Sequence, residues 1–129
     1  MNPSVPRRLN IFLVENHEDT LAYLGKYLES LGHEVRTART MDAAIGQWDD
    51  RKVDLLICDI GLPDGDGWEL MTRLREDGHH PYGIAMSGYS SQSDKEHSHA
   101  AGFRHHLIKP FLPEDLDKIL SEYLSESAS

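Results

Sequence analysis

The sequence predicts an α/β fold in which a five-stranded parallel sheet is covered by helices on both faces. Short apolar runs alternate with amphipathic segments along the 129 residues, and this alternation is typical of strands joined by crossover helices. The length fits a single domain that needs no disulfide or structural metal to fold. Because right-handed crossovers leave few topologies, five strands suit the doubly wound, flavodoxin-like order 2-1-3-4-5.

Five short runs are predicted to be the strands. Each is rich in Ile, Val, Leu or aromatic residues and is too short for an average helix. The more continuous runs indicate strands that are buried on both faces, as in a sheet between two helical layers. In chain order, the runs are residues 9–14, 33–38, 53–58, 82–86 and 105–108.

Five helices are predicted between and after these strands. The first has leucines at helical spacing and stops near Gly32, and the third stops at Gly78, because glycine commonly ends a helix. The second begins after Thr40, a residue type that caps helix starts. The fourth, at about residues 92–101, is polar and weakly patterned. The fifth begins near Pro113, since proline is tolerated in a first turn.

Composition limits the location and the partners of the predicted domain, residues 9–124, which has flexible tails at 1–8 and 125–129. The net charge is −9, so the surface would repel nucleic acid. No apolar run approaches the ~20 residues of a membrane span. The single cysteine, Cys58, excludes an intramolecular disulfide and favours a reducing, cytoplasmic location.

Polar residues follow the predicted strands at their carboxyl ends. Asp59 follows the third strand, Ser87 the fourth and Lys109 the fifth, while an acidic segment, residues 15–19, follows the first. Carboxyl ends of parallel strands meet at one edge, where ligands bind near the switch point of the sheet. A lone aspartate in such a place often only caps a loop or helix, but a lysine and a serine at the same edge favour a site.

These residue types suit phosphoryl transfer. Glu15, Asp59 and a backbone carbonyl of the following loop offer oxygen ligands of the kind that Mg²⁺ prefers. A carboxylate beside such a cation can attack phosphorus and form an aspartyl phosphate. Ser87 and Lys109 could bind the oxygens of the incoming group. No strong base is needed, because phosphoryl transfer depends mainly on positioning and charge compensation.

The chain resembles the receiver domain of response regulators in two-component signalling. The resemblance covers about residues 9–124. It rests on the acidic segment after the first strand, on "DIGLPDGDGWELM" from Asp59, on "MSGYS" after the fourth strand and on "AGFRHHLIKPF" through the fifth. Four motifs in this order, each at a strand end, are more specific than any of them alone.

The resemblance implies a role for each matching residue. Asp59 would accept a phosphoryl group from a histidine kinase or a histidine phosphotransfer domain, while Ser87 and Lys109 would bind that group. The domain would then catalyse only its own phosphoryl transfer and dephosphorylation, without acting on a further substrate. The ligands of Mg²⁺ would be Glu15, Asn16, Asp59 and the backbone carbonyl of Gly61.

The resemblance also implies how the signal leaves the site. Ser87 and His106 would form a switch that changes the face made by helix 4, strand 5 and helix 5. The Lys109–Pro110 peptide bond would be cis, as is typical of the family. Some phrases are similar to receivers attached to hybrid sensor kinases. The sequence does not identify the downstream protein target.

Two alternative functions remain open at this point. Asn16 stands where the family usually has a second acidic metal ligand, so metal binding would be weakened, and the chain could be a pseudo-receiver that binds proteins without being phosphorylated. The other alternative is a phosphatase with an aspartyl-phosphate intermediate. Such enzymes need a second aspartate two residues after the nucleophile, and Gly61 at that position argues against this class.

Overall fold

The computed structural model describes residues 8–88 and 92–128, and it contains the predicted five-stranded parallel sheet. The strand order is β2-β1-β3-β4-β5, so both the fold class and the strand order are confirmed. The strands are β1 Asn10–Val14, β2 Glu34–Ala38, β3 Leu55–Asp59, β4 Tyr82–Ser87 and β5 His105–Ile108. All neighbouring strands in the sheet pair in parallel.

Five helices connect and follow the strands. Gly32 and Gly78 have φ values of 96° and 90° after the first and third helices, a conformation that glycine adopts without strain. Thr40 caps the second helix, since its side chain accepts a hydrogen bond from Ala43 N at 3.0 Å. The helices are α1 Glu18–Ser30, α2 Met41–Gln47, α3 Gly67–Glu76, α4 Gln92–Ala101 and α5 Pro113–Ala128.

Some local features differ from the sequence prediction. Helix α5 continues to Ala128, so four of the five residues of the predicted C-terminal tail are helical. Between β3 and α3, the short strands Gly61–Leu62 and Gly65–Asp66 form an antiparallel hairpin. Most of the predicted N-terminal tail, residues 1–7, lies outside the described residues, as does Tyr89 of the "MSGYS" motif.

Two apolar clusters hold the helices on the sheet. On one face, Leu24 of α1 and Leu116 of α5 belong to a buried cluster with Ile57 and Met86 of the sheet. On the other face, residues of α2 and α3 form a second buried cluster with the sheet. Phe103, which follows α4, belongs to this second cluster. Burying a leucine-sized side chain contributes about 1.5–3 kcal/mol, so the two clusters stabilise the packing of the helices on the sheet. This packing holds the strand ends that carry the polar residues in fixed positions.

Within the described part of the chain, no helix combines the length and apolar character needed to cross a bilayer.

Candidate functional site

The strand register brings Asp59, Ser87 and Lys109 to one edge of the sheet. Asp59 is the last residue of β3 and pairs with Met86 in β4. Ser87 ends β4, and its carbonyl accepts a hydrogen bond from Lys109 N at 2.7 Å. The three side chains therefore come from adjacent strands, as the motif order predicts, and the Lys109–Pro110 peptide bond is cis.

A buried ion-pair network joins Lys109 to two carboxylates. Lys109 Nζ lies 2.7 Å from Glu15 Oε2 and 3.3 Å from Asp59 Oδ2. The Glu15 side chain is fully buried and that of Asp59 is 7% exposed, whereas Lys109 is 21% exposed. Two buried carboxylates repel each other, so the ammonium group between them is required to stabilise both charges.

The two carboxyl groups respond to this environment in opposite directions. Burial, and then the charge of Glu15, raise the pKa of Asp59, and the charge of Lys109 only partly opposes this. Burial alone would also raise the pKa of Glu15, but hydrogen bonds from Lys109 and His17 outweigh it and lower that pKa. The charge of Glu15 is thus compensated by Lys109 and His17, whereas a charge on Asp59 is less well compensated.

The loop after β3 is shaped around the Asp59 carboxylate. Gly61 N donates a hydrogen bond to Asp59 Oδ1 at 3.3 Å. A Cβ atom at Gly67 would lie 2.8 Å from the Asp59 carbonyl oxygen, so only glycine lets α3 start this close to β3. The loop acids have structural roles: Asp64 accepts from two backbone N–H groups at the start of α2, and Asp66 caps α3.

Three side chains at this edge could hold a metal ion, and two of them, Glu15 and Asp59, belong to the predicted ligand set. Ligand atoms of Glu15, His17 and Asp59 all lie within 4.8 Å of one another. His17 Nδ1 is 2.8 Å from Glu15 Oε1 and 3.9 Å from Asp59 Oδ2. Asn16 is half-buried, and its backbone carbonyl accepts a hydrogen bond from Arg39. His17 was not among the predicted site residues, and its only sequence signal is its place two residues after Glu15.

His106 forms a hydrogen-bonded relay that connects this edge of the sheet to helix α4. His106 Nε2 lies 2.8 Å from Ser87 Oγ, and His106 Nδ1 lies 2.7 Å from Ser98 Oγ. Trp68 Nε1 donates to the same Ser98 oxygen at 2.8 Å. We call Ser87, His106, Ser98 and Trp68 the relay. The sequence placed Ser87 and His106 in a switch, but Ser98 and Trp68 carried no motif that marked them.

An open cavity of about 710 Å³ lies over the carboxylate. Asp59, Ser87 and Lys109 line it together with His17 and Trp68. The cavity therefore gives a phosphoryl-sized group access to the Asp59 oxygen while a cation and hydrogen-bond donors surround it. A cation and donors around a nucleophilic carboxylate can stabilise the charge of a transferring anion.

The sequence matches a known family over most of its length. The model of the response regulator receiver domain matches residues 11–121. The chain belongs to the response regulator receiver family. Receiver domains are signalling domains rather than enzymes that act on a metabolite. This receiver is 38% identical over 102 residues to the KDP operon transcriptional regulatory protein KdpE of Escherichia coli K12.

The receiver covers different fractions of the proteins that it resembles. The alignment with KdpE covers 79% of this chain and 45% of that protein. The virulence sensor protein BvgS of Bordetella pertussis is 31% identical over 134 residues, which cover 98% of this chain and 11% of BvgS. An uncharacterized 14.6 kDa protein of Leptolyngbya boryana is 30% identical, with 90% of both chains covered. The receiver thus spans half or less of KdpE and BvgS.

Solved structures have the same fold. A two-component response regulator from Clostridium difficile superposes with a TM-score of 0.88 at 26% identity, covering 95% of this receiver and 100% of that chain. The receiver domain of Saccharomyces cerevisiae Ssk1 was solved with the histidine phosphotransfer protein Ypd1. It superposes with a TM-score of 0.82 at 23% identity, with coverage of 90% and 88%, a likeness that concerns the fold alone.

Proposed function

We propose that this receiver accepts a phosphoryl group on Asp59 and passes the signal on through protein contacts. The observation that carries the proposal is the placement of Lys109 Nζ, 3.3 Å from Asp59 Oδ2, beside a cavity that Ser87 also lines. A nucleophilic oxygen, a fixed cation and a hydroxyl donor thus surround the space where a phosphoryl group would sit.

The proposed step moves one phosphoryl group from a phosphohistidine to the carboxylate. The bond from phosphorus to the histidine nitrogen breaks while a bond from Asp59 oxygen to phosphorus forms, and the imidazole leaves with its electron pair. Lys109 balances charge on the equatorial oxygens, and Ser87 donates a hydrogen bond to one of them. These interactions suit a transfer whose transition state is stabilised mainly by positioning and charge.

Mg²⁺ fits the donor set of the site. Carboxylate oxygens of Glu15 and Asp59 lie within 4.8 Å of each other, and carboxylates are the hard oxygen donors that Mg²⁺ prefers. The amide of Asn16 and the backbone carbonyl of Gly61 are further candidate ligands. When bound, the ion would neutralise charge on the phosphoryl oxygens. The uncharged Asn16 predicts weaker binding of Mg²⁺ than an aspartate at that position would give.

The phosphoryl donor is proposed to be a histidine kinase or a histidine phosphotransfer domain in the cytoplasm. The similarity to a sensor protein over nearly the whole chain supports a receiver that works with, or within, a hybrid sensor kinase. The solved complex of Ssk1 with Ypd1 supports a phosphotransfer partner. The net charge of −9 argues against binding of nucleic acid by this domain itself.

The proposed output is a change of the face formed by α4, β5 and α5. A phosphoryl group adds about −1.5 to −2 of charge beside Ser87. The Ser87 side chain is hydrogen-bonded to His106, and His106 is hydrogen-bonded to Ser98 in α4. Movement of the Ser87 hydroxyl toward the phosphoryl group would therefore be felt directly by β5 and α4, a small local event that biases a larger element.

A pseudo-receiver is the second candidate function. Two features favour it, because both weaken the affinity for a divalent cation. Asn16 replaces an acidic ligand, and Glu15 already forms an ion pair with Lys109 at 2.7 Å. Such a domain would bind its protein partner in one fixed conformation, without phosphorylation.

Intact-mass spectrometry separates the two candidates. The receiver is incubated with Mg²⁺ and acetyl phosphate, with and without a chelator, beside the Asp59→Asn variant. The proposal expects one added phosphoryl group that requires both the metal and Asp59. A wild-type mass that stays unchanged at high concentrations of metal and donor would instead support the pseudo-receiver.

A further inference from the structure

We infer that Ser98 and Trp68 are positioning residues, which fix His106 as the Nε2–H tautomer and thereby turn Ser87 into a hydrogen-bond donor toward the phosphoryl site. The distances alone do not fix which partner donates in each hydrogen bond of the relay. Its first part, the tautomer, is independent of the proposed function. Its second part, the orientation of Ser87, rests on that function.

The direction of the relay is set at its tryptophan end. An indole Nε1–H can only donate, so Ser98 Oγ must accept at the 2.8 Å contact with Trp68. Stacking of Trp68 on His97, with ring centroids 3.7 Å apart, holds the indole in place. At this end of the relay, Trp68 is therefore always the donor and Ser98 always the acceptor.

Ser98 in turn determines which role His106 Nδ1 has in the next hydrogen bond. Ser98 is only 1% exposed, so its hydroxyl proton needs a hydrogen-bond acceptor inside the protein. Among the residues that the structure describes, the hydroxyl has two side-chain partners, Trp68 Nε1 and His106 Nδ1. Since Trp68 is a donor, the Ser98 proton goes to Nδ1. The reverse arrangement would leave a buried O–H unsatisfied, which is unfavourable.

The neutral imidazole then has only one arrangement that completes the relay. If Nδ1 accepts, the proton of the ring is on Nε2, and Nε2–H donates to Ser87 Oγ at 2.8 Å. Ser87 thus accepts from His106 and directs its own O–H elsewhere. A phosphoryl oxygen on Asp59 is an acceptor of the required kind, so this orientation lets Ser87 donate to the group that it is proposed to bind.

The tautomer can be measured directly by long-range ¹⁵N–¹H correlation NMR at neutral pH. The signals of His106 are assigned by their loss in a His106→Asn variant. We expect Nε2 to carry the proton and Nδ1 to have the shift of an acceptor nitrogen. Protonation on Nδ1 in the wild-type protein overturns the inference, and this result needs no variant that risks unfolding.

Two variants test the positioning role, with a matched control on an exposed helix face. Ser98→Ala removes the donor to Nδ1 and is expected to mix or reverse the tautomers, whereas Ser121→Ala, an exposed serine in α5, leaves them unchanged. Trp68→Phe keeps a ring but removes the N–H, so a smaller shift in the same direction is expected. An unchanged tautomer in Ser98→Ala contradicts the inference.

The functional consequence is measured as the rate of phosphorylation by acetyl phosphate. We expect Ser98→Ala to be phosphorylated about tenfold more slowly than wild type, the factor that corresponds to about 1.4 kcal/mol of lost hydrogen bonding. Equal rates would refute the orientation of Ser87. If the wild-type protein takes up no phosphoryl group at all, the proposed function fails, while the tautomer measurement still decides the first part of the inference.

Discussion

Replacing Lys109 with methionine tests whether the ion-pair network stabilises the site. The substitution keeps a long side chain but removes the cation that lies 2.7 Å from Glu15 and 3.3 Å from Asp59. Two buried carboxylates would then face each other with no ammonium group between them. Their repulsion must raise the pKa of at least one of them in the folded protein.

The expected loss of stability follows from the burial of the partners. Removing one partner of a buried ion pair costs about 3–5 kcal/mol. Lys109 is 21% exposed, and His17 still donates to Glu15, so the loss should lie at the lower end, about 3 kcal/mol. For a domain of this size, that loss corresponds to a melting temperature lower by about 10 °C.

The pH dependence has a defined sign. A carboxyl group whose pKa is higher in the folded than in the unfolded state binds more protons when folded, so stability falls as pH rises through that interval. The difference between wild type and Lys109→Met should therefore be largest near neutral pH and should narrow toward about pH 5 as the carboxyl groups are protonated.

Urea unfolding at both pH values, followed by circular dichroism, measures this difference. The matched control is Lys118→Met, which removes an exposed lysine of α5 and should change the free energy of unfolding by less than about 0.5 kcal/mol. Equal losses of stability in the two variants, or a loss in Lys109→Met that grows as pH falls, would contradict a stabilising role of the ion-pair network.

Five further substitutions test other parts of the structure. Asp59→Asn should raise the free energy of unfolding near neutral pH, because burial and a neighbouring carboxylate raise the pKa of Asp59, and the gain should shrink in acid unfolding titrations as the wild-type carboxyl is protonated. Leu116→Ala, at a fully buried position, should cost about 3 kcal/mol in urea unfolding, whereas Leu112→Ala, at a position 63% exposed, should change stability by less than about 0.5 kcal/mol. Gly83→Ala should lower the melting temperature, since its Cβ would come within 2.8 Å of two buried side chains. Gly46→Ala, in an open helical position, should raise the melting temperature through a gain of about 0.5–1 kcal/mol.

The sheet could be predicted from sequence because its signals are local. The apolar run of residues 53–58 is typical of a strand that is buried on both faces, and Gly32 and Gly78 mark helix ends by their backbone freedom. The end of α5 was harder to predict. The residues after Leu124 have no apolar period, yet α5 continues to Ala128, because helical hydrogen bonding does not require an apolar face.

The site could be predicted only in part, for a related reason. Asp59, Ser87 and Lys109 stand at strand ends, where topology alone brings them together. His17 and Ser98 join the site through the direction of their side chains, which depends on the bend after β1 for His17 and on helix packing for Ser98. Long-range contacts such as that of Ser98 with Trp68 leave no mark on either segment of the sequence.

An oxygen of Asp59 is proposed to form the bond to phosphorus, and chemical trapping of the acyl phosphate identifies that residue. Borohydride reduces an acyl phosphate to an alcohol, so treatment of the phosphorylated protein should convert Asp59 to homoserine, which peptide mass spectrometry locates. We predict homoserine at position 59 only after incubation with the phosphoryl donor and Mg²⁺. Reduction at Glu15, or a phosphoryl group on a histidine with Asp59 unmodified, would contradict the claim.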